Sequence, residues 1–138
     1  MRDQRMIAKD LIERADTLCA TARSLLSLGD TDSAINRAYY GMFHAARAAL
    51  LRVDAPVDPN IIRTHSGLIG AFGQYVVKDP ALSDNPALSG MGRILSRAYT
   101  ARIAADYKDT SDKFPDAKQI VEQAENFVAT IKALDPGK

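Results

Sequence analysis

NRAYYGMFHAARAALL, residues 36–51, is the stretch that decides the fold of this chain. One stripe of it is small throughout: Ala34 just before it, then Ala38, Gly41, Ala45 and Ala48 recur at spacings of three and four. That is the repeat of an α-helix, and small side chains on one face let another helix approach closely. A glycine inside a helix costs roughly 1 kcal/mol relative to Ala, so Gly41 implies a packing reason. The close neighbour is either a preceding helix or a second copy of the chain.

A second stripe is polar. Seven residues of helix advance by roughly 700°, about 20° short of two turns, so Arg37 and His44 share a face with Tyr40 between them. These side chains are either partners in chemistry or polar groups at the edge of a core, where His and Tyr commonly sit. The catalytic reading requires one solvent-reachable groove that gathers His44 and several guanidinium groups.

Outward from this stretch the helical repeat continues. Residues 3–28 carry Ile7, Leu11, Ala15, Leu18, Ala22, Leu25 and Leu26 at amphipathic spacing, and Gly29 supplies a stop. Asp30 or Thr31 can cap the next helix, which runs to about Arg52 with Asp32 in its first turn. Two long helices joined by so short a turn must lie antiparallel. VDAPVDPN, residues 53–60, reads as a loop because each proline disfavours helix at the residue before it.

A third helix is expected within residues 60–78, with Leu68, Ile69, Phe72, Tyr75 and Val76 on its core face and Gly67, Gly70 and Gly73 loosening its regularity. Residues 79–90 are turn-rich. Residues 91–107 return to helical spacing through Ile94, Ala98, Ala101 and Ala105. After KDTSDKF, Pro115 suits the first turn of a last helix whose face is Ile120, Ala124, Phe127, Val128, Ile131 and Leu134. No alternating pattern announces a strand. The expected fold is an all-α, up-and-down bundle of about five helices in a single domain, residues 1–138.

Composition narrows the function classes. Hydrophobic residues at 46% and charged residues at 25% suit a folded globular chain rather than a disordered one. Eighteen basic against seventeen acidic residues leave a formal charge of +1, so any hold on nucleic acid must come from a local patch. Cys19 is the only cysteine, which excludes an internal disulfide, suggests a reducing compartment and leaves the thiol to pack as a small apolar group. The first sixteen residues mix charges throughout, and no run approaches the roughly eighteen apolar residues of a membrane span, so a cytoplasmic protein without membrane contact is expected. His44 and His65 have no nearby Cys and no acidic residue at a recognised ligand spacing; no metal site and no cofactor are expected. THSG, residues 64–67, places His65 in the first turn of the third helix behind a candidate cap, Thr64, most simply as an exposed turn histidine.

RAYYGMFHAARAALL (37–51), THSGLIGAFGQYVVK (64–78), ARIAADYKD (101–109) and QAENFVATI (123–131), taken together and in this order, resemble the HEPN domains of prokaryotes, in particular the small stand-alone helical ones. The resemblance spans nearly the whole chain. It implies a helical bundle that usually forms a symmetric homodimer. Many such proteins are toxins of toxin and antitoxin pairs that act as metal-independent ribonucleases, and others work with a nucleotidyltransferase partner. The signature of the active ones is an Arg and a His with four to six residues between them, in the later helical part of the domain. Arg102 stands at what looks like that position, but Tyr107, preceded by Asp106, stands where the pattern has its His. Arg37 and His44 have the spacing but lie in the second helix.

Metal-free RNA cleavage needs a group to take the 2′-hydroxyl proton, another to protonate the leaving oxygen, and positive charge on the phosphate. His titrates near neutrality, whereas Tyr, near 10, does not. The sequence therefore supports a homodimeric HEPN-type module that binds RNA, a nucleotide or a partner protein in a toxin and antitoxin setting. An active metal-independent endoribonuclease and a non-catalytic scaffold are the alternatives. The catalytic candidates are His44, Arg37, Arg102 and Tyr107. Arg93, Arg97 and Arg102 with Tyr40 are the candidates for holding phosphate, since guanidinium forks suit phosphate geometry.

Overall fold

The computed structural model describes residues 4–80, 82, 85–107 and 116–134. Among them are five α-helices and no strand: α1 (Gln4–Ser27), α2 (Thr31–Arg52), α3 (His65–Phe72), α4 (Met91–Tyr107) and α5 (Ala117–Ala133). This is the all-α bundle expected from the helical repeat.

The turn between α1 and α2 closes as a glycine C-cap. Gly29 adopts φ +82°, its N–H donates to the Leu26 carbonyl, and the Asp30 N–H donates to that of Leu25. Asp30 then caps α2, its carboxylate accepting from the Ser33 N–H. Helix α2 lies at the centre, packed against α1, α3, α4 and α5, which is why it buries residues on most of its circumference, among them Ile35, Tyr39, Met42 and Leu50. The small stripe faces α1. A side chain added at Gly41 would place its Cβ 3.0 Å from Cys19 Sγ and 3.4 Å from the Ala15 carbonyl oxygen. The neighbour that the stripe admits is therefore the preceding helix of the same chain. Cys19 is buried there, and burial pushes its thiol up to about 11, with the Glu125 and Asp16 charges adding to the effect. It packs as a small apolar group.

The third helix, expected within residues 60–78, is short and flanked by a tighter turn before it and a wider one after it. A 3₁₀ turn (Ile61–Arg63) ends at Thr64, whose backbone is extended. Thr64 Oγ1 then accepts from the Gly67 N–H at 3.0 Å and starts α3. Beyond Phe72 the backbone widens into a π turn (Gly73–Val77), in which the Lys78 N–H donates to the Gly73 carbonyl five residues back. Gly67 is the pivot: a Cβ there would lie 2.2 Å from the Ile61 carbonyl oxygen. Only glycine lets the 3₁₀ turn and the start of α3 fold this tightly together.

Leu68, Phe72 and Val76 are fully buried, and Phe72 meets Phe127 of α5 at 5.3 Å between ring centroids. On α4 the core face is Met91, Leu95, Ala98, Ala101 and Ala105, with the expected Ile94 only partly covered. The six positions expected on α5 are all buried, and Asp116 caps it by accepting from the Gln119 N–H. Pro115, expected in its first turn, lies outside the described residues. No described helix is long and apolar enough to cross a membrane.

Candidate functional site

The polar ridge expected along α2 divides into three environments. Arg37 is exposed and donates to Asn36 Oδ1 at 2.6 Å. Tyr40 turns toward α3 and α4. His44 is half-buried under the edge of Phe43, 5.7 Å between centroids. Among the described residues no hydrogen bond or ion pair joins His44 to Arg37 or to Arg102; the guanidinium groups whose charge it feels are those of Arg14 and Arg47.

What the bundle assembles instead centres on His65. Because Thr64 caps α3, His65 occupies the first turn of that helix and leans back against α2 and α4. The sequence suggested an exposed turn histidine; the imidazole is half-buried, and Tyr39 Oη lies 2.7 Å from its Nδ1. Its ring stacks on Tyr99 of α4 at 5.1 Å and 23°, and meets Phe43 at 5.3 Å and Tyr40 at 6.0 Å. The motif position on α4 closes the group, for the Arg102 guanidinium carbon stands 5.7 Å from the ring centroids of Tyr39 and Tyr40 and 5.6 Å from that of Tyr99. A guanidinium within about 6 Å of three aromatic faces is held by their quadrupoles.

The electrostatics fix the protonation states. Burial raises the Tyr39 phenol well above its ordinary range, against the pull of Arg102, so it remains protonated. Burial, reinforced by the Arg102 charge, lowers the His65 pKa and favours the neutral ring. The Tyr39–His65 hydrogen bond admits two directions: the phenol donating to Nδ1 leaves the ring proton on Nε2, and Nδ1–H donating to the phenol oxygen leaves the Nε2 lone pair free. Arg102 gives one N–H to Asp106 Oδ2 at 3.0 Å, while its Nε is buried with no partner. A cation seated on aromatic rings with donor capacity left over is suited to a phosphate oxygen.

Tyr107, the residue at the motif's histidine position, ends α4 and is 81% exposed, so the chain does not bring it onto Arg102; Asp106 takes that place. Arg93 and Arg97 are exposed, and Arg97 lines a cleft of about 440 Å³ between α4 and α5 that also takes in Asp116 and Gln119. Of the residues expected to hold phosphate, the fold thus unites Arg102 and Tyr40. His65, Tyr39, Tyr99 and Asp106 complete the group. A sequence signal existed for Tyr99, one turn before Arg102; His65 was legible as one of two imidazoles, in a capped first turn, but it reaches the group only because α3 folds against α2.

Comparison with known proteins adds the family. The sequence model of the HEPN domain matches residues 8–134. A Methanocaldococcus jannaschii protein named "Putative toxin MJ0605" is 33% identical over 131 residues, covering 95% of this chain and 90% of its own length. A second protein of that organism, "Putative toxin MJ0142", is 27% identical over 133 residues, covering 96% and 83%. The "UPF0332 protein glr0978" of Gloeobacter violaceus is 30% identical over 122 residues, covering 87% and 89%.

Proposed function

Since this chain belongs to the HEPN family, we propose that it is the RNA-binding module of a toxin-type system, working as a homodimer in the cytoplasm and restrained by an antitoxin or nucleotidyltransferase partner. The observation that carries the reading is Arg102, held over the rings of Tyr39, Tyr40 and Tyr99, its side chain still partly exposed and only one of its terminal nitrogens given to Asp106. Interleaved guanidinium and aromatic faces are what single-stranded RNA uses, here phosphate on the cation and bases on the partly exposed rings of Tyr40 and Tyr99. The two relatives named as toxins support the setting.

The test is fluorescence anisotropy with a labelled oligoribonucleotide. Wild type binds, and Arg102→Gln weakens binding by about tenfold or more, on the scale of a lost charge-assisted contact. No binding by folded wild-type protein at low salt defeats the proposal.

A second reading has one specific observation in its favour: an Arg and a His, separated in sequence, meet in space. In the tautomer that donates Nδ1–H to Tyr39 Oη, His65 keeps the Nε2 lone pair, which takes the 2′-hydroxyl proton as the 2′-oxygen attacks phosphorus; the 5′-oxygen leaves with a proton from water, and Arg102 holds the phosphate. Incubation of the protein with RNA and excess chelator decides it. Cutting that His65→Ala abolishes and His44→Ala preserves makes the protein a metal-independent ribonuclease; cutting abolished by His44→Ala alone moves the chemistry to the other imidazole.

A further inference from the structure

A second group of cations lies on the other side of Phe43. His44 and Arg47 are three apart on α2 and so share a face. Arg14 comes from α1 beside the crossing at Gly41, where the Ala15 carbonyl and Leu18 approach α2. Arg63 is brought in by the 3₁₀ turn before α3, because the Phe43 ring touches both His44 and His65 and so fixes the start of α3 at this end of α2. The charges feel one another. After burial, Arg14 and Arg47 push the His44 imidazole down to about 4, and Arg63 and Arg14 lower the Arg47 guanidinium.

Among the described residues no carboxylate pairs with Arg14, Arg47 or Arg63. Arg47 Nε and His44 Nδ1 are buried and make no hydrogen bond. Three guanidinium groups from three elements, converging without a counter-charge, repel one another in the free protein, and an anion removes that repulsion. All three are Arg rather than Lys, which suits a planar, bidentate grip on phosphate oxygens. Phe43 connects this group to the Tyr40, His65 and Arg102 cluster, so cations and aromatic rings alternate from α1 across α2 to α4.

We propose that Arg14, Arg47 and Arg63 form a second phosphate seat, which holds the backbone of the same single-stranded RNA that lies on the Tyr40, His65 and Arg102 cluster. The half-buried, neutral His44 beside it offers its other ring nitrogen, not the buried Nδ1, to a phosphate or ribose oxygen. This inference rests on the RNA-binding reading above, and it adds a track where that reading needs only one contact.

Salt dependence separates the two. Each phosphate contact on a single strand contributes roughly 0.7 to the slope of log K against log salt. Arg14 and Arg63 are exposed, so the double variant Arg14→Gln/Arg63→Gln keeps its fold, which circular dichroism verifies. Anisotropy with an oligouridylate from 50 to 300 mM salt should show that variant losing about tenfold to hundredfold in affinity and about 1.4 in slope relative to wild type. Arg47→Gln provides the same readout from the half-buried member. If Arg102→Gln abolishes binding while the double variant and Arg47→Gln match wild type in affinity and slope, the second seat is wrong and the first reading stands. If wild type binds no RNA, both fall. Capture of polyglutamate in place of oligouridylate also overturns the seat, in favour of an acidic protein partner.

Discussion

At the scale of single residues, both histidines are shifted toward neutrality by burial and by arginines, and they differ in what surrounds them. His44 has no hydrogen-bond partner on Nδ1, and its pKa falls from 6.5 to about 4. The unfolded chain therefore binds that proton more tightly than the folded one. The stability conferred by the neutral ring is complete above about pH 6.5 and is lost as pH falls toward 4, by on the order of 1–3 kcal/mol. Urea midpoints should drop across that interval in wild type and drop much less in His44→Leu; equal slopes in both would assign the acid sensitivity elsewhere. His65 has Tyr39 Oη at 2.7 Å. Tyr39→Phe should cost about 1 kcal/mol and leave Nδ1 unpaired. The nitrogen shifts of the His65 ring report this directly, and unchanged shifts would show that the phenol does not set the tautomer.

At the scale of elements, two glycines set how segments meet. Gly67→Ala forces a Cβ onto the Ile61 carbonyl oxygen, so the 3₁₀ turn and the start of α3 must separate, at a cost of about 1–3 kcal/mol. The same change should weaken RNA binding, because it moves His65 and Arg63. Thr64→Ala, which removes the cap and the hydroxyl's bond to the Ile61 carbonyl, should cost about 1–2 kcal/mol, and Thr64→Ser should restore it. Thermal melts of the three variants rank these effects, and a Gly67→Ala protein as stable as wild type would contradict the close approach. At Gly41 the added Cβ meets Cys19 Sγ at 3.0 Å, so Gly41→Leu should part α1 from α2 and lower the melting temperature far more than Gly70→Leu, where the space is open.

At the scale of the whole molecule, α2 is the hub on which the other helices are laid, and its small stripe is occupied by α1. Close helix packing is thus spent inside the chain, and the proposed homodimer rests on family membership and must use another surface. Sedimentation should give a dimer at micromolar concentration; a monomer there would confine every site described above to one chain. The ion pairs Arg23 with Glu125 and Lys132 with Asp16 tie α1 to α5 but lie at the surface, where screening leaves them little influence. Raising salt should therefore leave the melting temperature nearly unchanged while it releases RNA.

The sequence by itself determined the helices, because the three-and-four repeat, Gly29, Asp30 and the prolines act within a turn or two of where they stand. It also marked Tyr40 by helix phase, and Arg102 by resemblance to the HEPN motif. The sequence marked Thr64 as a cap, but not the 3₁₀ turn before it, which packs against a glycine pressed onto Ile61. The partners of each side chain were decided only by the tertiary structure. Helix phase put Arg37, Tyr40 and His44 on one ridge, but a neighbouring helix covers only part of a face, and packing sent the three to solvent, to His65 and Arg102, and to Arg14 and Arg47 respectively. Contacts between α2, α3 and α4 depend on how loops fold those helices together, and no periodicity along the chain records that.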